Sequence, residues 1–240
     1  MSEASEATLA TKTAYPNINM VGVELEGGWR NRVFLDADIH EDISLPVPEG
    51  YMPTWHFGEI ASPPLPPSEA VPWMLKHYPL DIPAPVDGKS CGLHFHLSVR
   101  GDGEYNKLLS QTFYDTYLQA MGAVLKQMDQ ASVDTVLFHQ RLSGMNRFAR
   151  RLYAPSRQVW CQEKDSGRDA ERRTLINYCH GLHGTVEFRL FPMFRDPKCS
   201  VMVLEATMGL VDAFLEARKG KHDRRVVRKA WVGDLVKEMR

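Results

Sequence analysis

Apolar and polar positions alternate most cleanly at residues 93–99. Leu93, Phe95, Leu97 and Val99 fall on one side, His94, His96 and Ser98 on the other. A period of two is the period of a strand. The alternation recurs at 185–190, where Val186, Phe188 and Leu190 oppose Glu187 and Arg189, and a short β-type segment spans 21–25. Residues 175–177 predict a further strand, joined to 185–190 by a glycine-bounded turn at 181–184.

The period lengthens at 107–130. Leu109, Phe113, Tyr117, Met121, Val124 and Met128 recur at spacings of three and four, which predicts one long amphipathic helix. Asp196-Pro197 opens a second helix running to about residue 217, with Gly220 as its stop. The 45–85 stretch is rich in proline, so it is excluded from continuous central sheet and predicts only a short helix near 68–77. An arginine-rich loop is expected over 141–157. Strands and helices mix without regular βαβ alternation, which predicts an α+β fold with a largely antiparallel sheet. Residues 1–16 read as a disordered tail, 17–217 as one folded domain, and 218–240 as a basic helical extension.

Composition changes this picture little. The 240 residues carry a net charge of −1, too near neutral to imply a nucleic-acid partner. No apolar run reaches the roughly 20 residues of a membrane helix, and the N-terminus lacks a secretory apolar core. A cytoplasmic protein is expected. Cys91, Cys161, Cys179 and Cys199 form no C-x-x-C pair, so they are expected as free thiols rather than a zinc or dithiol site. The 218–240 extension sets nine Lys/Arg against three Asp/Glu, readable either as a solvated helix face or as a docking surface.

Candidate chemistry comes from the polar sides of the strands. Residues i and i+2 share a face, so Glu24 and Glu26 sit side by side, as do His94 and His96, and Glu187 and Arg189. Neighbouring carboxylates are costly unless a cation or a proton intervenes. Taken singly, each pair reads equally as an exposed strand edge or a surface salt bridge. Their recurrence suggests a sheet with an apolar side and a charged side. Mostly oxygen donors with a tolerated histidine suit Mg²⁺ or Mn²⁺. The 141–157 loop offers Arg141, Arg147, Arg150 and Arg151 to phosphate. No P-loop motif and no nucleophile motif occurs.

Six blocks in order resemble the amidoligase family of the glutamine synthetase and glutamate–cysteine ligase superfamily. They are GVELE (22–26), DISL (42–45), EIASPPL (59–65), CGLHFHLSV (91–99), RLSGMNRFAR (141–150) and INYCHGLHGTVEFRLF (176–191). The resemblance implies a curved antiparallel sheet, with helices packed on one face, holding ATP and divalent metal. It implies metal ligation by Glu24, Glu26, Glu59, His94 and Glu187, a nucleotide-side His96, and phosphate-binding arginines among Arg141, Arg147 and Arg150. Arg189 matches the arginine that meets the transferred phosphoryl group, with Glu187 and Glu26 beside it as catalytic positions. Asp42 and Ser44 match a substrate-binding element, although Ile43 stands where the family has glycine. The implied activity joins a small-molecule or peptide carboxylate to an amine, and leaves a homo-oligomer open. The rivals are a metal-dependent hydrolase or phosphotransferase, and a binding protein that has lost turnover.

Overall fold

A computed structural model describes residues 15–30, 37–42, 45, 55–85, 89–146, 149–151, 173–179 and 183–219. Ser44, Arg147, most of the N-terminal tail and nearly all of the basic extension lie outside these residues.

Six strands form one antiparallel sheet: β1 (Ile18–Trp29), β2 (Ile39–His40), β3 (His56–Ala61), β4 (Gly92–Val99), β5 (Ile176–Cys179) and β6 (Thr185–Pro192). Their spatial order is β2-β3-β1-β4-β6-β5. Among the described residues five helices accompany them: α1 (Pro67–Lys76), α2 (Asp102–Leu108), α3 (Gln111–Leu125), α4 (Val133–Leu142) and α5 (Pro197–Lys219). The α+β, antiparallel expectation therefore holds. None of the described helices is long and apolar enough to cross a membrane. Cys91, Cys179 and Cys199 are free thiols.

The alternation read from the sequence is the division between the sheet's faces. Val21, Val23, Leu25, Leu93, Phe95, Leu97, Val186 and Phe188 are fully buried on the core side. Helices α3 and α5 pack together and complete that core. Phe113 of α3 meets Phe188 of the sheet at a ring separation of 6.4 Å and Phe214 of α5 at 5.1 Å. Tyr117 lies closer to Phe188, at a ring separation of 4.7 Å with the planes tilted by 38°, and shares a hydrogen bond of 2.8 Å with Thr207 of α5.

Several boundaries differ from expectation. The 21–25 segment is the middle of a twelve-residue strand, because β1 pairs with β4 over Ile18–Leu25 and with β3 over Glu24–Trp29. The helix expected over 107–130 is two helices. Ser110 breaks it by turning its hydroxyl to the Phe113 N–H, a side-chain cap that starts α3 afresh. Residues 133–142 are helical, capped by Ser132, so Arg141 belongs to a helix rather than to the expected loop.

One irregularity shapes the site. Between the Leu93–Phe191 and Phe95–Phe188 pairs, β6 carries one residue more than β4. Such a bulge shifts the alternation of faces. Phe191 is thereby returned to the core, 5.2 Å from the Phe95 ring, although strict alternation would put it on the face of Glu187 and Arg189.

Because Phe113 joins sheet and helices, Phe113→Ala is expected to cost about 3–5 kcal/mol. The measurement is the urea midpoint at unchanged m-value. A loss below about 1 kcal/mol would show that the layers are not joined there.

Candidate metal centre

The register of the sheet assembles the polar residues into rows across the strands. One row runs His40, Glu59, Glu26. The next runs Ala61, Glu24, His94. A third runs Gly22, His96, Glu187, Asn177. Residues directly opposite each other in antiparallel strands have Cβ atoms about 5 Å apart. Four separate sequence blocks thus place four glutamates, with His94 and His96, on one patch.

Three overlapping groups bring ligand atoms within 4.8 Å of one another: Glu24 with Glu59 and His94, Glu24 with His96 and Glu187, and Glu26 with Asp42 and Glu59. Asp42 therefore joins the cluster, beside two of the expected metal ligands. His94 Nδ1 lies 3.0 Å from Glu24 Oε2. His96 Nε2 approaches Glu24 Oε1 at 2.9 Å, an ion-pair approach rather than an aligned hydrogen bond. Its Nδ1 lies 3.3 Å from the Thr185 hydroxyl. Arg189 Nη1 donates to Glu187 Oε1, and Asn177 donates to Glu187 Oε2 at 2.7 Å. The Gly92 N–H donates to Glu26 Oε2.

Gly92 has to be glycine for this arrangement. A Cβ there would lie 2.7 Å from His94 Nε2 and 3.2 Å from Glu26 Oε1, inside the cluster.

The electrostatics separate the carboxylates. Burial opposes the charge on Glu24, but the His94 and His96 imidazoles against its two oxygens hold its pKa well below the usual range. Burial likewise opposes charge on Glu187, and Arg189 with His96 more than offsets it. Burial disfavours the imidazolium of His96, yet the Cys179 thiol and then Glu24 and Glu187 lift its pKa well above the ordinary value. Burial, then the charges of Glu24, Glu26 and Asp42, push Glu59 up to about 8, and the one opposing influence, the charge of Arg189, is outweighed. Without a cation, one carboxylate of the cluster holds a proton at neutral pH. The donor set, rich in oxygen with two imidazoles, fits a hard divalent ion such as Mg²⁺ or Mn²⁺.

The expected arginines part ways. Arg189 is at the cluster. Arg141 is buried beneath it, and its two Nη groups are engaged chiefly by backbone carbonyls. Nη1 reaches the carbonyls of Arg189 and Phe191 at 3.3 and 2.9 Å, and Nη2 the carbonyls of Ser90 and Cys91 at 2.9 and 3.1 Å. The Ser90 hydroxyl takes a further contact at 2.9 Å. Arg141 is therefore a clamp on the β6 bulge and the entry to β4, and its expected role as a phosphate contact is not borne by this geometry. Arg150 is exposed on a segment flanking 173–175, to which its N–H and carbonyl are bonded at 2.9 and 3.0 Å, and is not brought into the cluster.

A cavity of ≈ 540 Å³ opens at the Glu24 and His96 end. It is lined by apolar Met20, Ala61 and Pro64 and by polar Ser98, His183 and Thr185. That volume is within the range of small-molecule pockets. Sequence reasoning missed Asn177, Thr185, Cys179 and Gly92 as supports of the site. Asn177 and Cys179 were findable as alternate residues of a strand facing Glu187, whereas Gly92 shows its function only in three dimensions.

No protein-family model matches the chain, and neither a curated protein nor a solved structure does.

A pKa raised on folding gives stability that is present below the unfolded value and lost as pH rises through the folded one. For Glu59 that window runs from about 4.5 to about 8. His96 acts in the same direction, whereas Glu24 and Glu187 act only on the acid side of the window. Metal-free protein is expected to lose melting temperature between pH 5 and 8, and Glu59→Gln to show a shallower loss. Identical slopes in thermal melts of the two proteins would remove Glu59 as the proton holder.

Proposed function

We propose that the chain is an ATP-dependent carboxylate–amine ligase with a glutamine synthetase-like catalytic sheet. The observation that carries this reading is the convergence of five carboxylates, two histidines and Arg189 on one sheet face beside a nucleotide-sized cavity. So dense a carboxylate patch is a strong attractor for divalent cations, and Mg²⁺ or Mn²⁺ bound there supplies neutralisation of phosphate oxygens.

The residues then divide by position. Glu24, Glu26, Glu59, His94 and Glu187 would hold the metal, with Asp42 added by its place in the third ligand group. His96 and the adjoining cavity would hold the nucleotide, its phosphates directed to the cluster. Arg189, fixed on Glu187, would face the transferred phosphoryl group, where a planar guanidinium suits phosphate oxygens. Burial opposes the charge of Arg189, but Glu187 and Glu24 hold its pKa up, so it stays cationic during turnover.

In the first step a substrate carboxylate oxygen attacks the γ-phosphorus and the bond to ADP breaks, giving an acyl phosphate. In the second, an amine attacks the acyl carbon, phosphate leaves, and the amine loses a proton to give the amide. Both steps need positioning and charge stabilisation rather than a protein nucleophile.

Metal-dependent ADP release in the presence of a carboxylate and an amine tests the reading. Glu26→Gln is expected to abolish it, and near wild-type turnover in that variant would sink the metal assignment. Arg189→Ala is expected to lower kcat by 10²-fold or more while nucleotide affinity changes several-fold at most. Equal losses in both would make Arg189 a ground-state phosphate contact. Mass spectrometry of the products distinguishes ligation from hydrolysis, since only ligation joins the two substrates with loss of water.

A further inference from the structure

The cavity beside the cluster differs from it in composition. It crosses the sheet from Pro64, just beyond β3, over β1 and β4 to His183 at the turn into β6. None of its lining residues is lysine or arginine. Apart from Glu24 and His96, which belong to the cluster, the lining is apolar with a few hydroxyls. A polyphosphate chain finds its counter-charges at the cluster and not here. The cavity is therefore built for the nucleoside part of a nucleotide, whose ring and sugar ask for apolar surface and a few placed polar groups.

Two aromatic rings line it, His96 and His183, and they stand in different situations. His96 is held on both sides, with Nδ1 3.3 Å from the Thr185 hydroxyl and Nε2 2.9 Å from Glu24 Oε1. His183 is exposed. Its plane is turned 89° from that of His96, with the ring centroids 6.5 Å apart. A flat ligand stacked on His183 is therefore perpendicular to His96, which is left for polar contact. Gly184 sets this up. Its φ of +68° is a left-handed conformation that glycine adopts without steric cost, so the chain turns between His183 and the first residue of β6, Thr185. Met20 and Pro64 line the cavity from β1 and from beyond β3, across from His183.

We propose that His183 is a specificity-determining residue that stacks on the base of the bound nucleotide and favours a purine. The inference rests on the ligase reading for a nucleotide in the cavity, and not for the chemistry done on it. Every base has a π-face, so stacking on an imidazole gives affinity without reading base edges, and the preference follows stacking strength. A purine offers the larger face. The Ser62 hydroxyl adds a polar contact: it accepts the Val23 N–H at 3.0 Å, which leaves its own proton to donate to a ring nitrogen or a ribose oxygen. His183 then contributes to binding of the nucleoside and nothing to binding of the phosphates, which lie at the cluster.

Calorimetry on the full chain with Mg²⁺ tests this with three probes: the β,γ-imido analogues of ATP and of CTP, and inorganic tripolyphosphate, which has the charge and no base. The wild type is expected to bind the ATP analogue more tightly than either, by about tenfold over tripolyphosphate and about threefold over the CTP analogue. His183→Ala is expected to lose about tenfold for the ATP analogue and to bind tripolyphosphate as the wild type does. His183→Phe keeps an aromatic face without the ring nitrogens, and is expected to hold the ATP analogue within about twofold of wild type. Unchanged affinity of His183→Ala for the ATP analogue overturns the proposal. So does an equal loss for tripolyphosphate, which would make His183 a phosphate contact, and so does a His183→Phe variant as weak as His183→Ala, which would make it a hydrogen-bonding residue. The two readings fail separately. Base-dependent binding with no amide formed from any carboxylate and amine removes the ligase reading and leaves the stack. Ligation with equal affinity of wild type and His183→Ala for the analogue removes the stack alone.

Discussion

Mutual repulsion of carboxylates is the constraint on which this structure turns. Glu24, Glu26, Glu59, Glu187 and Asp42 share one face of a sheet, most of them largely withdrawn from water. At that spacing like charges strongly resist joint ionisation. The protein answers at each position differently. Two imidazoles hold Glu24, a guanidinium and an amide hold Glu187, and a backbone N–H holds Glu26. Glu59 keeps a proton instead. A divalent ion held there would displace that proton and relieve the whole set, which fits the arrangement to a metal centre. The opposite face is a predominantly apolar layer of sheet residues, α3 and α5, and its burial offsets what the charged face costs.

Support for the cluster comes from backbone positions as much as from side chains. The extra residue in β6 lets Arg189 face the cluster while Phe191 rejoins the core. Arg141 ties the carbonyls on either side of that bulge to those at the entry to β4. The next residue along β4, Gly92, holds Glu26. A buried guanidinium with several carbonyl partners is a rigid cross-link, since breaking one contact strands both donor and acceptor away from water. Burial lowers the Arg141 pKa to about 10, still cationic at neutral pH.

The charged face also has a direction. A cavity adjoins its Glu24 and His96 end, and the ligand group that contains no histidine, Glu26 with Asp42 and Glu59, lies at the other.

The sequence alone determined the faces. Period-two alternation in β4 and β6 obliged His94 to share a side with His96, and Glu187 with Arg189, whatever their neighbours. It also determined the fold class, because the order of strands and helices has no βαβ rhythm. Tertiary structure decided which strands lie side by side and in what register, and therefore that Glu26 faces Glu59 and His96 faces Glu187. Pairing is a long-range property: a shift of one residue would reverse a face without changing any local pattern. It decided as well that Arg141 is a clamp, since an arginine in a sequence has the same charge whether its partners are phosphates or carbonyls. The Glu/His cluster was legible as pairs; that the pairs form one centre came from the antiparallel ladder that binds their strands together.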